Sequence, residues 1–312
     1  MTSNSEVELS IVVPIYNNET SITSLINELN SICAKFNFKV EVVFVIDGSP
    51  DGSVVLIQKN ADQIQFAHTV IELSKNYGAF SAIKCGIENS NGKYIAVKTA
   101  DLQEPSDLIY KFYNMLTENK SDIVFGLRIS RNDGFVSNLF SKLFWRIYKK
   151  YVNNQVPIGG TDVFACTNQV AASIKNLNER NTSLLGLLYW VGYSRGYVEY
   201  ERLERKSGKS SWSFRKKIRY ASDSIFSFTD LPIIAIQIIG VVGISISLLI
   251  SILVLILKLS GSLLVPGYAA LMLVILFSTS ALLFAIGIVG NYSWRAFENS
   301  KNRPNVIVMK KY

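Results

Sequence analysis

Val40-Glu41-Val42-Val43-Phe44-Val45-Ile46-Asp47-Gly48-Ser49-Pro50-Asp51-Gly52-Ser53 reads as a buried strand running into a tight turn. Six of its first seven residues are apolar, which suits a strand covered on both faces. Gly48 and Gly52 permit the turn, and Asp47 sets a carboxylate at the strand's carboxyl end. A carboxylate there can accept hydrogen bonds from a nucleobase imide or a ribose hydroxyl. The same string is also the composition of a plain turn.

Similar apolar, β-rich runs occupy residues 9–14, 69–73, 94–97 and 123–125. Helical patterns lie between and after them, at 20–35, 79–89, 107–117 and 138–151. This alternation predicts an α/β fold with an open, mostly parallel sheet covered on both faces. Ligands of such sheets bind beyond the carboxyl ends of the strands, so the polar clusters that follow strands are the candidates for chemistry.

The 312 residues are 49% hydrophobic and 18% charged, and the mean hydropathy is +0.23. Soluble chains carry about 25% charge, so part of this one belongs in an apolar medium. Residues 233–257 and 263–290 contain no charged side chain, and each exceeds the ~20 residues that cross a bilayer. They read as a transmembrane hairpin. The net charge of +8 sits beside it: −1 over residues 1–200, +4 over 201–230, +1 at Lys258 and +4 over 291–312. Basic flanks of this kind place both ends on the cytoplasmic side. They exclude a nucleic-acid groove, which needs its basic residues on the folded domain. Residues 1–10 lack the apolar core of a signal peptide.

Phe214, Ile218, Ala221, Ile225 and Phe228 form one apolar stripe at helical spacing, with Arg215, Lys216, Lys217 and Arg219 off it. This predicts a helix in the membrane interface; packing on the cytosolic domain is the alternative. The domains expected are thus 1–200 cytosolic, 201–230 juxtamembrane, 231–290 membrane and 291–312 a basic tail. Cys33, Cys85 and Cys166 are widely spaced and indicate neither a disulfide framework nor a zinc site. His68, at the start of an apolar run, is expected to be structural.

The fourth strand runs into Thr99-Ala100-Asp101-Leu102-Gln103-Glu104-Pro105. A carboxylate with a second oxygen ligand two residues on can hold a hard cation such as Mg2+ or Mn2+. Asp101 or Asp107 could equally cap the helix that Pro105 begins.

Taken in order, Pro14-Ile15-Tyr16-Asn17-Asn18-Glu19, the Asp47–Ser53 turn, Lys75-Asn76-Tyr77-Gly78 and Ala100–Pro105 form a series that resembles family 2 glycosyltransferases. Gly126-Leu127-Arg128-Ile129-Ser130-Arg131-Asn132-Asp133 and Gly160-Thr161-Asp162-Val163-Phe164 extend the likeness, as does Ser207-Gly208-Lys209-Ser210-Ser211-Trp212. With two C-terminal spans, residues 9–290 are similar to bacterial polyprenyl-phosphate glycosyltransferases, relatives of dolichol-phosphate mannose synthase.

The resemblance implies a GT-A fold and inverting transfer of a sugar from a nucleotide-sugar, with UDP favoured, to undecaprenyl phosphate. The product would serve cell-surface glycan modification. The enzyme would lie in the bacterial plasma membrane as a multi-pass protein among membrane lipids. Pro14, Tyr16, Glu19 and Asp47 match donor-site positions, with Lys75 and Lys209 as further binding positions. Asp101 and Gln103 match metal-ligand positions for Mg2+ or Mn2+. Arg128 and Arg131 match positions that hold the acceptor phosphate, with Lys209 and Arg205 as further candidates, and Asp162 would orient the acceptor or act as a base.

Two positions depart from the family pattern: Thr99 stands where the first Asp of D-x-D is usual, and Ile46 where many members carry an acidic residue. A degenerate transferase, acting as a membrane-anchored sugar-nucleotide-binding or scaffold protein, is the competing reading. No Q-x-x-R-W occurs, which disfavours a processive polysaccharide synthase. Small residues along 240–251 would allow close helix packing and hence a homo-oligomer.

Overall fold

The computed structural model describes residues 6–129, 145–146, 148–150, 155–157, 161, 163–177, 183–203, 221–223, 226–260 and 267–312. The chain divides into two compact units. One comprises Met1–Ser224 with Arg303–Tyr312, the other Ile225–Asn302.

The first unit is built on an eight-stranded sheet. Its strands are β1 (Leu9–Ile15), β2 (Val40–Ile46), β3 (Ala67–Leu73), β4 (Tyr94–Val97), β5 (Ile123–Arg128), β6 (Phe164–Thr167), β7 (Arg195–Tyr200) and β8 (Val308–Lys311). Their order across the sheet is β7-β5-β6-β4-β1-β2-β3-β8. β1 pairs in parallel with β2 and β4, β2 with β3, and β5 with β7. β6 runs antiparallel to β4 and β5, and β8 antiparallel to β3. The carboxyl ends of β1, β2, β4, β5 and β7 therefore share one edge of the sheet.

The α/β expectation holds, and the runs at 9–14, 40–46, 69–73, 94–97 and 123–125 all lie in strands. Helices α1 (Ile22–Cys33), α3 (Ala79–Glu88) and α4 (Leu108–Thr117) occupy the expected intervals. The short α2 (Ser53–Lys59), α5 (Asn168–Lys175) and α6 (Leu184–Trp190) complete the layers. The predicted helix at 138–151 falls largely outside the described residues.

Alternating strand residues face opposite cores. Leu9, Ile11, Val13 and Ile15 of β1 pack with Leu25, Ile26 and Leu29 of α1 and with Leu108 and Phe112 of α4. Val12, Val43 and Val45 pack on the other side with Ala82 and Ile83 of α3 and Val170 and Ile174 of α5. α3 lies close enough to the sheet that a Cβ on Gly86 would meet Val12 Cγ1 at 2.2 Å. Glu41, the one charge in β2, is buried with partners: it accepts from Ser10 Oγ at 2.6 Å and from Asn91 N at 2.6 Å. A buried carboxylate without such donors would be costly.

Part of the expected basic tail has another fate. β8 hydrogen-bonds to β3 and so forms the edge of the sheet, Val70 N donating to Tyr312 O at 3.1 Å and Tyr312 N to Val70 O at 2.9 Å. Backbone pairing decides this, since all four β8 residues stay exposed.

The second unit contains α7 (Leu231–Leu259) and α8 (Tyr268–Ser300). Leu231–Ile250 has a mean hydropathy of 2.7. It alone, among the described residues, is long and apolar enough to cross a membrane. α7 covers the first expected span; α8 covers residues 268–290 of the second and continues beyond it. Tyr292 Oη donates to Thr229 O at 2.9 Å, and Arg295 stacks over Phe226 at 5.3 Å. Most of the predicted interfacial stripe lies outside the described residues.

Candidate active site at the carboxyl edge of the sheet

The loops after β1 and β2 are laced together. Asn17 N donates to Ser49 Oγ at 2.8 Å, Glu19 N to Asp51 Oδ2 at 2.9 Å, and Gly52 N to Glu19 Oε2 at 2.9 Å. Burial pushes the Asp51 carboxyl up, but hydrogen bonds from the Ser49 hydroxyl and from backbone N–H groups of Glu19 and Ser53 outweigh it. The net effect holds Asp51 below the ordinary carboxylate range. Glu19 thus serves at least partly to close the β2 turn.

Asp47 is 2% exposed. Its Oδ1 accepts from Tyr77 N at 2.7 Å and its Oδ2 from Gly78 N at 2.9 Å. It therefore fastens the Lys75–Gly78 loop, a role its sequence position did not reveal. Gly48 makes that docking sterically feasible. Its φ is +56°, and an added Cβ would stand 2.1 Å from Lys75 C. Lys75 is exposed there, its ammonium 5.1 Å from the Tyr77 ring centroid. Pro14, near the end of β1, and Tyr16, Glu19, Asp47 and Lys75 on the loops that follow β1, β2 and β3 are thus all placed at one edge.

The loop after β4 carries the densest chemistry. Ser21 Oγ ties it to the β1 loop by donating to Ala100 O at 3.0 Å. Leu102 has φ +58°, unusual for a residue with a branched side chain and a form of strain that concentrates at functional sites. It separates Asp101 from Gln103, and both reach one cation. Arg202 Nη2 lies 3.5 Å from Asp101 Oδ2 and donates to Gln103 Oε1. Gln103 is bound further to the same segment, Nε2 donating to Leu203 O at 3.2 Å and its carbonyl accepting from Leu203 N at 2.9 Å.

Thr99 Oγ1 stands 2.6 Å from Asp101 Oδ1 and 2.5 Å from Glu104 Oε1. Burial pushes the Glu104 carboxyl up, with Lys98 opposing and Asp101 adding to the shift. Lys98, 1% exposed, lies 3.0 Å from Glu28 Oε1 on α1 and 3.7 Å from Glu104 Oε2. A buried ammonium requires such partners.

Arg128, at the end of β5, donates from Nε to Tyr200 Oη at 3.4 Å. Tyr200 ends β7, two residues before Arg202. Burial pushes its phenol up, and Arg128 opposes the shift. Arg128, Asp101 and Gln103 thus adjoin one short segment, residues 200–203, which the sequence reading did not single out. Arg131, Asp162, Arg205 and Lys209 lie outside the described residues.

Asp107 precedes α4 but makes no side-chain cap; it pairs with Lys111 at 2.7 Å. His68 sits at the amino end of β3, its ring T-shaped to Phe66. Burial pushes Cys33 and Cys166 up to about 12 and Cys85 up to about 11, so none is a ready nucleophile.

Asp101, Gln103 and Thr99 offer hard oxygen donors with one carboxylate among them. That set fits Mg2+ or Mn2+ sharing its coordination with phosphate and water. Among the described residues, no three His, Cys, Asp or Glu side chains cluster as a metal site.

Residues 10–174 match the family described as Glycosyl transferase family 2. The chain is 32% identical over 97% of its length to an uncharacterized glycosyltransferase of Synechocystis, covering 95% of that protein. It is 30% identical over 98% of its length to the SfII prophage-derived bactoprenol glucosyl transferase of Shigella flexneri, covering 99% of it. The mannosyltransferase PcManGT of Pyrobaculum calidifontis is a more distant likeness, 15% identical over 93% of this chain and 88% of that one with a TM-score of 0.46. The chain belongs to glycosyltransferase family 2. It is a glycosyltransferase with a mixed α/β sheet of the GT-A kind.

Proposed function

We propose that the chain transfers a sugar from a nucleotide-sugar, a UDP-sugar in the first instance, to undecaprenyl phosphate, with inversion at the anomeric carbon. The observation that carries the reading is the convergence of Asp101, Gln103 and Arg128 beside residues 200–203 at the carboxyl edge. Relatives named as bactoprenol glucosyl transferases, similar over nearly their whole length, support the acceptor class. The Leu231–Ile250 helix supports a membrane site for it; we infer that α8 completes a hairpin with both ends cytoplasmic.

A phosphate monoester is largely dianionic at neutral pH, so an acceptor oxygen can attack the anomeric carbon without a strong base. The bond from that carbon to the diphosphate breaks, and the nucleoside diphosphate leaves with the electron pair. Arg128 would orient the acceptor phosphate by forked hydrogen bonds, together with Arg131. Asp162 would hold the acceptor in line. Asp101 and Gln103 would hold Mg2+ or Mn2+, which when bound neutralises charge on the diphosphate. Pro14, Tyr16, Glu19, Asp47, Lys75 and Lys209 would shape the donor site, Asp47 chiefly by holding the 75–78 loop.

The test uses membranes containing the full chain, undecaprenyl phosphate and a panel of labelled nucleotide-sugars, with Mg2+, Mn2+ or EDTA. One donor should yield labelled, organic-extractable lipid, and Asp101→Ala should abolish it. Nucleotide binding without product from any donor would favour a degenerate, binding-only protein, a reading that Thr99 motivates.

A further inference from the structure

We propose that Arg202 is a resident counter-cation of the β4 loop, held on the atoms that a divalent cation needs and displaced when that cation binds. The inference rests on the donor-site reading of Asp101 and Gln103, and it assigns a task to a residue outside the motifs quoted above. One guanidinium nitrogen, Nη2, faces Asp101 Oδ2 at 3.5 Å and donates to Gln103 Oε1. A guanidinium keeps its charge at every working pH. It and a hard cation would use the same oxygens, and both cannot occupy them at contact distance. Leu203, bound by both its backbone groups to Gln103, keeps the arginine's backbone beside the loop. The Leu102 turn presents both oxygen ligands to that side.

Arg202 is therefore a positioning residue. It holds Asp101 and Gln103 together, while Asp101 meets the buried Glu104 through the shared Thr99 hydroxyl. The same contact makes this a weak metal site on its own, so metal binding waits for a ligand that brings phosphate oxygens. A unit positive charge a few ångströms from a divalent ion alters its affinity by about tenfold even at the dielectric of water.

The experiment measures Mn2+ binding to the full-length chain in detergent without nucleotide, from the free-ion signal in electron paramagnetic resonance. Arg202→Gln should bind Mn2+ about tenfold more tightly than the parent. Arg202→Lys, which keeps the charge, should stay within about threefold of it. Lys120→Gln, which removes an exposed charge elsewhere, should change nothing. Unchanged or weaker binding by Arg202→Gln overturns the proposal, as does equal tightening by Arg202→Lys or by Lys120→Gln. Asp101→Asn separates the two levels of inference. If it leaves Mn2+ binding unaltered, the metal reading of Asp101 itself fails. If it abolishes binding while Arg202→Gln gives no gain, only the counter-cation role fails.

Discussion

Replacing Asp47 by Asn tests whether this carboxylate works on the protein or on the donor. The side chain is 2% exposed and accepts Tyr77 N at 2.7 Å and Gly78 N at 2.9 Å through different oxygens. Asn keeps one acceptor and turns an amide N–H2 toward the other backbone N–H. One hydrogen bond to a charged group is lost and a buried donor is left facing a donor. Together these cost about 2–4 kcal/mol, a sizeable share of the ~5–15 kcal/mol that holds a domain folded. For a domain of this size the melting temperature should fall by about 8 °C. Thermal melts of the purified chain in detergent give that number, and nucleotide titration of the folded variant gives the other half. Residual affinity should track the order of the 75–78 loop, and a tightly bound nucleotide should recover part of the lost stability. An unchanged melting temperature with nucleotide binding abolished would refute the reasoning, because the carboxylate would then be spent on the donor.

Three further perturbations probe the same architecture. Gly48→Ala should cost about 3 kcal/mol, since its Cβ would stand 2.1 Å from Lys75 C and 2.4 Å from Asn76 N. Gly78→Ala, at φ +95° and ψ 151° but with nothing within 4 Å, should cost only the backbone strain of that glycine-only region, about 1–3 kcal/mol; a larger fall in melting temperature at Gly78 than at Gly48 would count against the steric account. Asp51, whose carboxyl is held below its ordinary value, contributes stability that is present above the unfolded carboxylate pKa of about 3.9 and lost as pH falls through the folded value. The difference in melting temperature between the parent and Asp51→Asn should therefore stay constant from pH 7 to about pH 5 and shrink as the pH falls from there through about 3.9 and below. Deleting residues 306–312 removes the partners of Val70 and Ser74, so hydrogen exchange at Val70 N and Ser74 N should accelerate; protection that survives the deletion would mean β3 does not rely on β8.

What could be read from residues alone follows from how each element is stabilised. β1, β2 and β4 are buried on both faces and carry near-continuous apolar runs, broken by Ser10 and Glu41, whose short length and wealth of Val and Ile mark them as strands. β6 is four residues long, and β7, Arg195-Gly196-Tyr197-Val198-Glu199-Tyr200, lies at the sheet edge with charge and glycine in it. Neither has a period to detect. β8 is more extreme: Val308-Met309-Lys310-Lys311 is exposed throughout and exists because β3 offers it a backbone ladder. The site divides along the same line. Asp47 and Asp101 could be placed at strand ends because their strands were legible. How their oxygens are used depends on Tyr77, Gly78 and Arg202, residues 30 to 101 positions away whose approach is set by the folded chain. Lys98 did carry a signal: a charge directly after an apolar strand is buried, and a buried ammonium implies carboxylates close by.

The Thr at position 99 acquires a physical reason once the charges around it are counted. Among the described residues, Lys98 lies against Glu28 and Glu104 and Arg202 against Asp101, two cations against three acids when all are ionised. An Asp at 99 would add a fourth acid between Asp101 and the buried Glu104, at a point where the Thr hydroxyl lies within 2.6 Å of both. Like charges so close raise one another's cost of ionisation, and a bound divalent cation would offset it. Thr99→Asp should therefore bind Mn2+ more tightly than the parent and melt at a lower temperature in EDTA, with added Mn2+ closing the gap. A variant as stable as the parent in EDTA would show that the loop tolerates the extra charge unaided. The balance struck by Thr99 and Arg202 would then have no bearing on whether this site takes a metal.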